Sequence, residues 1–154
     1  MSTSNLPQPS ETEPSALLRI DALHLELPQS EVCALVPLSE VDLLDARPFS
    51  VGWVQHGQHR CPVYCLSAEL SLLIVIPPKR RTCVLLASGD GFIGILCDEA
   101  STINLSPADR HSLPSAMRLR DTPILSLIAL GEDQIACATS AGQLATHVMR
   151  LTGL

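Results

Sequence analysis

The sequence TCVLLASGDGFIGILC, at residues 82–97, contains two apolar runs joined by residues that favour a turn. Residues 82–87 and 92–97 have the length of β-strands and consist largely of aliphatic side chains. Between them, Ser88-Gly89-Asp90-Gly91 supplies glycines, which adopt turn conformations without steric cost. The stretch therefore predicts a β-hairpin, and it is the clearest hairpin signal in the chain.

Similar apolar runs lie on both sides of this hairpin. Residues 18–27 alternate between apolar and polar side chains on either side of Asp21-Ala22, which is the pattern of a second tight hairpin with one buried face. Further short apolar runs occur at residues 32–36, 51–54, 61–66, 124–130 and 135–139. Many short strands with few helical patterns indicate the all-β class, either a barrel or a sandwich.

A helical pattern is present near the C-terminus. Ser140 and Gln143 have the spacing of a capping box, and Leu144, Val148 and Leu151 then fall on one face of a helix. Two polar segments, residues 39–42 and 106–109, predict single helical turns within the strand-rich part. The sequence therefore predicts an all-β fold with a short C-terminal helix.

The composition narrows the class of protein. Of the 154 residues, 46% are hydrophobic, 17% are charged and 3% are aromatic, and the formal net charge is −6. The apolar fraction suffices for one core, while the acidic balance and the scarcity of aromatic rings argue against nucleic acid as a partner. The one basic run, residues 79–81, follows two prolines and is interpreted as a solvated loop.

The N-terminal residues and the cysteines bear on location. Residues 1–15 are rich in Ser, Pro, Thr and Glu without periodicity, and they predict a flexible tail rather than a targeting segment. The longest strong apolar run, residues 72–76, is far shorter than the ~20 residues that span a bilayer, so direct membrane insertion is not expected. Six cysteines occur mostly within apolar runs, which favours free buried thiols in a reduced, cytoplasmic protein.

The order and spacing of these segments over residues 16–148 resemble the CheW-like family, the adaptor domains of bacterial chemosensory arrays. Several stretches carry the resemblance together. Residues 18–28 (LRIDALHLELP) resemble the family's opening hairpin, and residues 31–36 (EVCALV) resemble the strand after it. Residues 48–54 (PFSVGWV) resemble its Pro-Phe-x-Arg-Gly-Val-Ile segment, and residues 61–66 (CPVYCL) resemble its Ile-Pro-Val-Val-Asp-Leu segment. Residues 92–99 (FIGILCDE) resemble its Phe-Gly-Leu-x-Val-Asp segment.

The resemblance implies a fold and a role. The fold is two small five-stranded, SH3-like β-barrels that share an apolar junction, followed by the short C-terminal helix. A CheW-like domain is expected at residues 16–154, with sub-barrels at about 18–78 and 82–148. The implied role is non-enzymatic: an adaptor that joins a CheA-type histidine kinase to the cytoplasmic tip of a chemoreceptor.

The resemblance also suggests where partners bind. Ser50, Val51, Gly52 and Trp53 lie in the segment that the family associates with partner contact, and Asp98 lies in the Phe-Gly-Leu-x-Val-Asp segment. Val51 occupies the position where family members carry an Arg, which indicates altered partner choice, for example a pilus-linked receptor of a type IV pilus (twitching) system. Trp53 has two open interpretations, a binding hot spot or a core residue at the barrel junction.

A cysteine-rich strand raises a second hypothesis, a small metal- or redox-responsive regulator. His59, Cys61 and Cys65 share one face of this strand, close to His56, and could converge on zinc. The Cys-x₃-Cys spacing lacks the paired knuckle of a structural zinc site, so no metal and no cofactor are predicted. The sequence also lacks a nucleophile elbow, a phosphate loop and a paired-carboxylate pattern, so no enzyme activity is predicted.

Overall fold

A computed structural model describes residues 14–43, 49–118 and 121–153, and within these ranges the chain forms twelve strands and two α-helices. The strands are β1 (Pro14–Ile20), β2 (Leu23–Pro28), β3 (Val32–Pro37), β4 (Gly52–His56), β5 (His59–Leu66), β6 (Leu72–Leu73), β7 (Thr82–Ser88), β8 (Gly91–Cys97), β9 (Glu99–Asn104), β10 (Arg110–Ser112), β11 (Ser126–Ala129) and β12 (Ile135–Ala138). The helices are α1 (Ser115–Arg118) and α2 (Ala141–Thr152). The predicted all-β fold with a short C-terminal helix is confirmed.

The described strands form two sheets. The first sheet has the order β10-β11-β12-β2-β1-β9, and the second has the order β3-β7-β8-β5-β4, with β6 paired beside β5. Most neighbouring strands are antiparallel, but β12 pairs with β2 and β5 pairs with β8 in parallel. Because parallel neighbours need long connections, these two pairings join parts of the chain that no local pattern relates.

Each sheet takes strands from both halves of the chain. β1 and β2 lie beside strands from the C-terminal half, whereas β7 and β8 lie beside strands from the N-terminal half. The hydrogen bonding therefore does not divide the chain at 78–82, and the sub-barrels at 18–78 and 82–148 stay a prediction. Residues 1–13 of the predicted tail lie outside the described residues, and Pro14 and Ser15 begin β1.

The hairpin predicted at residues 82–97 is confirmed as β7 and β8. Thr82 lies opposite Cys97 and Ser88 opposite Gly91, so Gly89-Asp90 makes the turn. Gly89 has a φ of +57°, a left-handed conformation that glycine adopts without strain. Alternate side chains of β7 contribute to two different apolar clusters, so both faces of this strand are buried. This double burial explains why the segment is a continuous apolar run rather than an alternating one.

The largest apolar cluster lies at the junction of the two sheets. Leu18 and Leu25 enter it from the first sheet, Val84 and Ile95 from the second, and Leu144 from α2. A second cluster, on the other face of the second sheet, consists of four valines, three cysteines and two leucines: Val41, Val51, Val54, Cys61, Val63, Cys65, Cys83, Leu85 and Leu96. The apolar junction that the family resemblance implies is therefore present.

An ion pair with one buried partner lies in the first sheet: the Glu26 carboxylate is buried, whereas the Arg110 side chain is 43% exposed. Glu26 lies on β2 opposite Ala138 of β12 and is buried. Its carboxylate accepts hydrogen bonds from Ser15 Oγ at 2.5 Å and from Arg110 Nη2 at 3.0 Å. Since a buried charge is costly unless it is paired and hydrogen-bonded, Arg110 and Ser15 make this carboxylate compatible with the sheet.

The C-terminal helix begins after the predicted cap, Ser140. Ser140 Oγ accepts a hydrogen bond from the Gln143 amide at 3.1 Å, and Gly153, at a φ of +78°, ends the helix. Leu144 and Val148 are buried as expected, whereas Leu151 is exposed, so the buried face ends one turn earlier than its periodicity predicts. Across the described ranges, neither helix is long and apolar enough to cross a membrane.

Gly94 provides a test of how tightly the second sheet is packed. A Cβ at this position would lie 2.6 Å from Cys83 Sγ and 3.0 Å from Val63 Cγ2. We expect Gly94→Ala to lower the free energy of unfolding by roughly 1–3 kcal/mol, because an extra methyl group in a packed core forces its neighbours to move. Urea unfolding followed by circular dichroism measures this change.

Gly91→Ala is the matched control. Gly91 lies on the same strand as Gly94, and apart from its chain neighbours no heavy atom lies within 4 Å of the position that its Cβ would take. This substitution should change the free energy of unfolding by less than about 0.5 kcal/mol. Equal changes in the free energy of unfolding for the two substitutions would show that the space around Gly94 accommodates an extra methyl group.

Candidate interaction surface

The predicted partner-binding segment lies at an edge of the second sheet and is buried. Ser50, Val51, Gly52 and Trp53 are all buried. Val51 belongs to the cluster on the outer face of the second sheet, and its backbone amide donates to the Val63 carbonyl at 2.8 Å. The position where the family carries an Arg therefore presents a packed valine here and no charge.

The chain crosses closely over Gly52. A Cβ at Gly52 would lie 2.4 Å from the Asp42 carbonyl oxygen and 3.0 Å from Val41 Cγ1. Beside it, the Trp53 and Asp42 amides donate to each other's carbonyls at 2.9 and 2.7 Å. Gly52 is thus required by the close approach of this neighbouring backbone, independently of any partner.

The Trp53 ring packs against the side chain of Arg60, a surface residue. Its side chain is 9% exposed, and the Arg60 guanidinium carbon lies 4.7 Å from the ring centre. This distance allows a cation–π interaction, which orients Arg60 on the exposed side of the ring. The Trp53 side chain is therefore buried, and the neighbouring Arg60 is exposed to solvent.

Asp98, which was predicted to contact a partner, lies inside an ion cluster. Its side chain is 1% exposed, and its Oδ1 accepts from Arg80 Nη1 at 2.8 Å. Its Oδ2 accepts from the backbone amide of Asp21 at 2.8 Å. Both carboxylate oxygens of Asp98 therefore bind groups of the same chain, and its role as a partner contact stays a prediction.

Arg80 is the centre of this cluster. Its side chain is fully buried and makes two hydrogen bonds to the Asp21 carboxylate, at 3.0 and 3.1 Å. Its Nη2 also donates to the Leu66 carbonyl at 2.9 Å, at the end of β5. The interpretation of residues 79–81 as a solvated loop is wrong for Arg80, because two carboxylates and a carbonyl replace its hydration, and holds for the exposed Lys79 and Arg81.

The charges in the cluster reinforce one another. Arg80 holds the pKa of the Asp21 carboxyl below its usual range, chiefly through their hydrogen bonds, and Asp21 in turn raises the pKa of Arg80. Asp21 occupies the β1–β2 turn with a φ of +55°, a left-handed conformation that Asp tolerates better than most residues. The cluster therefore fixes a strained turn of the first sheet against strands of the second.

Removing the guanidinium tests this role. We expect Arg80→Ala to lower the free energy of unfolding by about 3–5 kcal/mol, because it removes the nearest cation from the buried Asp98 carboxylate and leaves it with the more distant Arg19, at 3.6 Å. Chemical unfolding monitored by circular dichroism gives the value. Arg81→Ala removes an exposed arginine from the next position and should change stability by less than about 0.5 kcal/mol. Similar losses in both variants would contradict a structural role particular to Arg80.

The cysteine-rich strand does not assemble a metal site. Cys61 and Cys65 are buried on the same face of β5, as predicted, but His59 is exposed and packs edge-on against Phe92, with ring centres 5.2 Å apart. Among the described residues, no three His, Cys, Asp or Glu side chains are grouped so that they could hold a metal ion. Sharing a strand face does not bring these side chains together, because the strand separates them along its length.

The buried thiols are also poorly suited to redox chemistry. Burial raises the pKa of Cys61 and Cys65, and it raises the pKa of Cys83 and Cys97 to about 12. Since the thiolate is the reactive form, these four side chains are protonated and unreactive at neutral pH. They serve as small apolar groups in the two clusters.

Thiol labelling of the native protein checks this assignment. Cys33 is exposed, so we expect it to react rapidly with an Ellman-type reagent, while Cys61, Cys65, Cys83 and Cys97 react only after unfolding. The substitution Cys33→Ser should remove the rapid phase and leave the slow one. Rapid reaction of several thiols in the Cys33→Ser variant would contradict their burial and revive a redox role.

The fold has a known counterpart. No protein family and no curated protein sequence that was compared matches this chain. The structure, however, is similar to that of the scaffolding protein TtCheW from Thermoanaerobacter tengcongensis, with a TM-score of 0.68 and 12% sequence identity, over 86% of this chain and 92% of that chain. The chain therefore has a divergent CheW-like fold, which confirms the fold that the resemblance implied.

Proposed function

We propose that this CheW-like chain is a non-catalytic adaptor of a cytoplasmic chemosensory system, which couples a CheA-type histidine kinase to a receptor. The observation that carries the proposal is the similarity of nearly the whole fold to a CheW scaffolding protein. The similarity extends over both sheets rather than one motif, as expected if the shape of the whole domain is what partners recognise.

The packing of the predicted contact segment supports an altered choice of partner. Val51 is buried where a family Arg is expected, so a partner that recognises this Arg finds no matching charge. Contact at this edge of the second sheet then goes through exposed neighbours, namely Phe49 and the Arg60 guanidinium above Trp53. A pilus-linked receptor of a twitching system is the proposed alternative to a standard chemoreceptor tip.

Direct binding tests this function. The purified chain is titrated by calorimetry with the CheA-type kinase of the same organism and, separately, with the cytoplasmic fragment of a chemoreceptor or pilus-linked receptor. We expect saturable binding to the kinase and to one receptor, and a ternary complex on size-exclusion chromatography. A chain that binds neither kinase nor receptor would overturn the proposal.

A charge reversal locates the contact. We expect Arg60→Glu to weaken binding to one partner about tenfold, because a charge at the edge of an interface changes association with an oppositely charged surface. Arg150→Glu, at an exposed position on α2, is the matched control and should leave both affinities unchanged. Circular dichroism verifies that both variants are folded.

A further inference from the structure

Two adjacent aliphatic side chains project from the loop between β6 and β7. Ile74 is 79% exposed and Val75 is 77% exposed, the highest values for large hydrophobic side chains among the described residues. Single exposed aliphatic residues are common on protein surfaces, but neighbouring ones that lose almost no surface on folding are costly in water. Neither side chain belongs to an apolar cluster of the described residues, which suggests a use outside the fold.

The loop that carries them, residues 74–81, is held in place from several sides. Before it, Leu72 and Leu73 pair with β5, and within it Ile76 packs against the cluster on the outer face of the second sheet. After the turn, the Arg80 amide donates to the Pro77 carbonyl at 3.0 Å and the Arg80 side chain enters the ion cluster. The exposure of Ile74 and Val75 is therefore a fixed feature, which lowers the entropy cost of binding.

The charges of this loop differ from those of the whole chain. The chain has a net charge of −6, yet no Asp or Glu occurs between Glu69 and Asp90. Arg80 is neutralised by Asp21 and Asp98, whereas Lys79 and Arg81 are exposed. Lys79 also lowers the pKa of Asp21, but that carboxylate already accepts two hydrogen bonds from Arg80. The same loop thus carries two exposed cations and two exposed aliphatic side chains.

On the premise of the adaptor function, we propose that the 74–81 loop is a docking surface for an acidic, apolar segment of a partner protein, the kinase or the receptor. Aliphatic side chains of the partner would cover Ile74 and Val75, and its carboxylates would face Lys79 and Arg81. A protein fits better than an anionic membrane, because the loop has no aromatic side chain and exposes two cations, fewer than the roughly four to eight that form a lipid-binding basic cluster.

Two loop variants test the docking surface in the same calorimetric assay. Ile74→Ser with Val75→Ser should weaken binding of one partner about 10- to 100-fold, the loss expected when two buried aliphatic side chains are removed. Lys79→Glu with Arg81→Glu should weaken the same partner about tenfold, and this effect should shrink at high salt. Leu35→Ser, a 55% exposed leucine on β3 of the same sheet, is the matched control and should bind normally.

The outcomes separate this inference from the proposed function. If the wild-type chain binds the kinase and a receptor but both loop variants bind them equally well, the adaptor function stands and the docking surface is overturned. If the wild-type chain binds neither protein, both proposals fall. Binding of the wild-type chain to vesicles of anionic phospholipid that is lost in Ile74→Ser with Val75→Ser, with protein binding unchanged, would assign the loop to lipid and overturn the inference.

Discussion

The buried guanidinium of Arg80 is the contact on which the arrangement of the two sheets depends. It binds Asp21 in the β1–β2 turn, Asp98 between β8 and β9, and the Leu66 carbonyl at the end of β5. An apolar junction alone tolerates sliding, because the hydrophobic effect has no direction. Hydrogen bonds from a planar guanidinium have fixed directions, so they set one relative position of the strands that meet there.

Much of the fold could be predicted from the sequence because it follows from local periodicity. The alternation at residues 18–27, the double-faced apolar run at residues 82–97 and the cap at Ser140 each determine a structure within a few residues. The pairing of β2 with β12 and of β5 with β8 could not be predicted in this way, since each brings together strands that share no turn. The family resemblance supplied the fold that local patterns left open.

The interaction residues were harder to predict, because a residue type does not reveal which way its side chain faces. Val51 and Asp98 were chosen by their place in family segments, yet one packs in an apolar cluster and the other in an ion cluster. Lys79, Arg80 and Arg81 look alike in sequence, and only the positions of Asp21, Asp98 and Leu66 distinguish the middle residue. Ile74 and Val75 belong to the apolar run at residues 72–76, and the sequence does not reveal that these two side chains face solvent.

The strand order of the first sheet also has a consequence for how the chain folds during its synthesis. β1 and β2 leave the ribosome before the other described strands, but their neighbours β9 and β12 are separated from them by more than half of the sequence. The β1–β2 hairpin therefore has two unpaired edges while the strands of the second sheet are translated. Non-local pairings of this kind slow folding and lengthen the time in which strand edges are open to other chains. In such a topology the first sheet is complete only after β12 has been made.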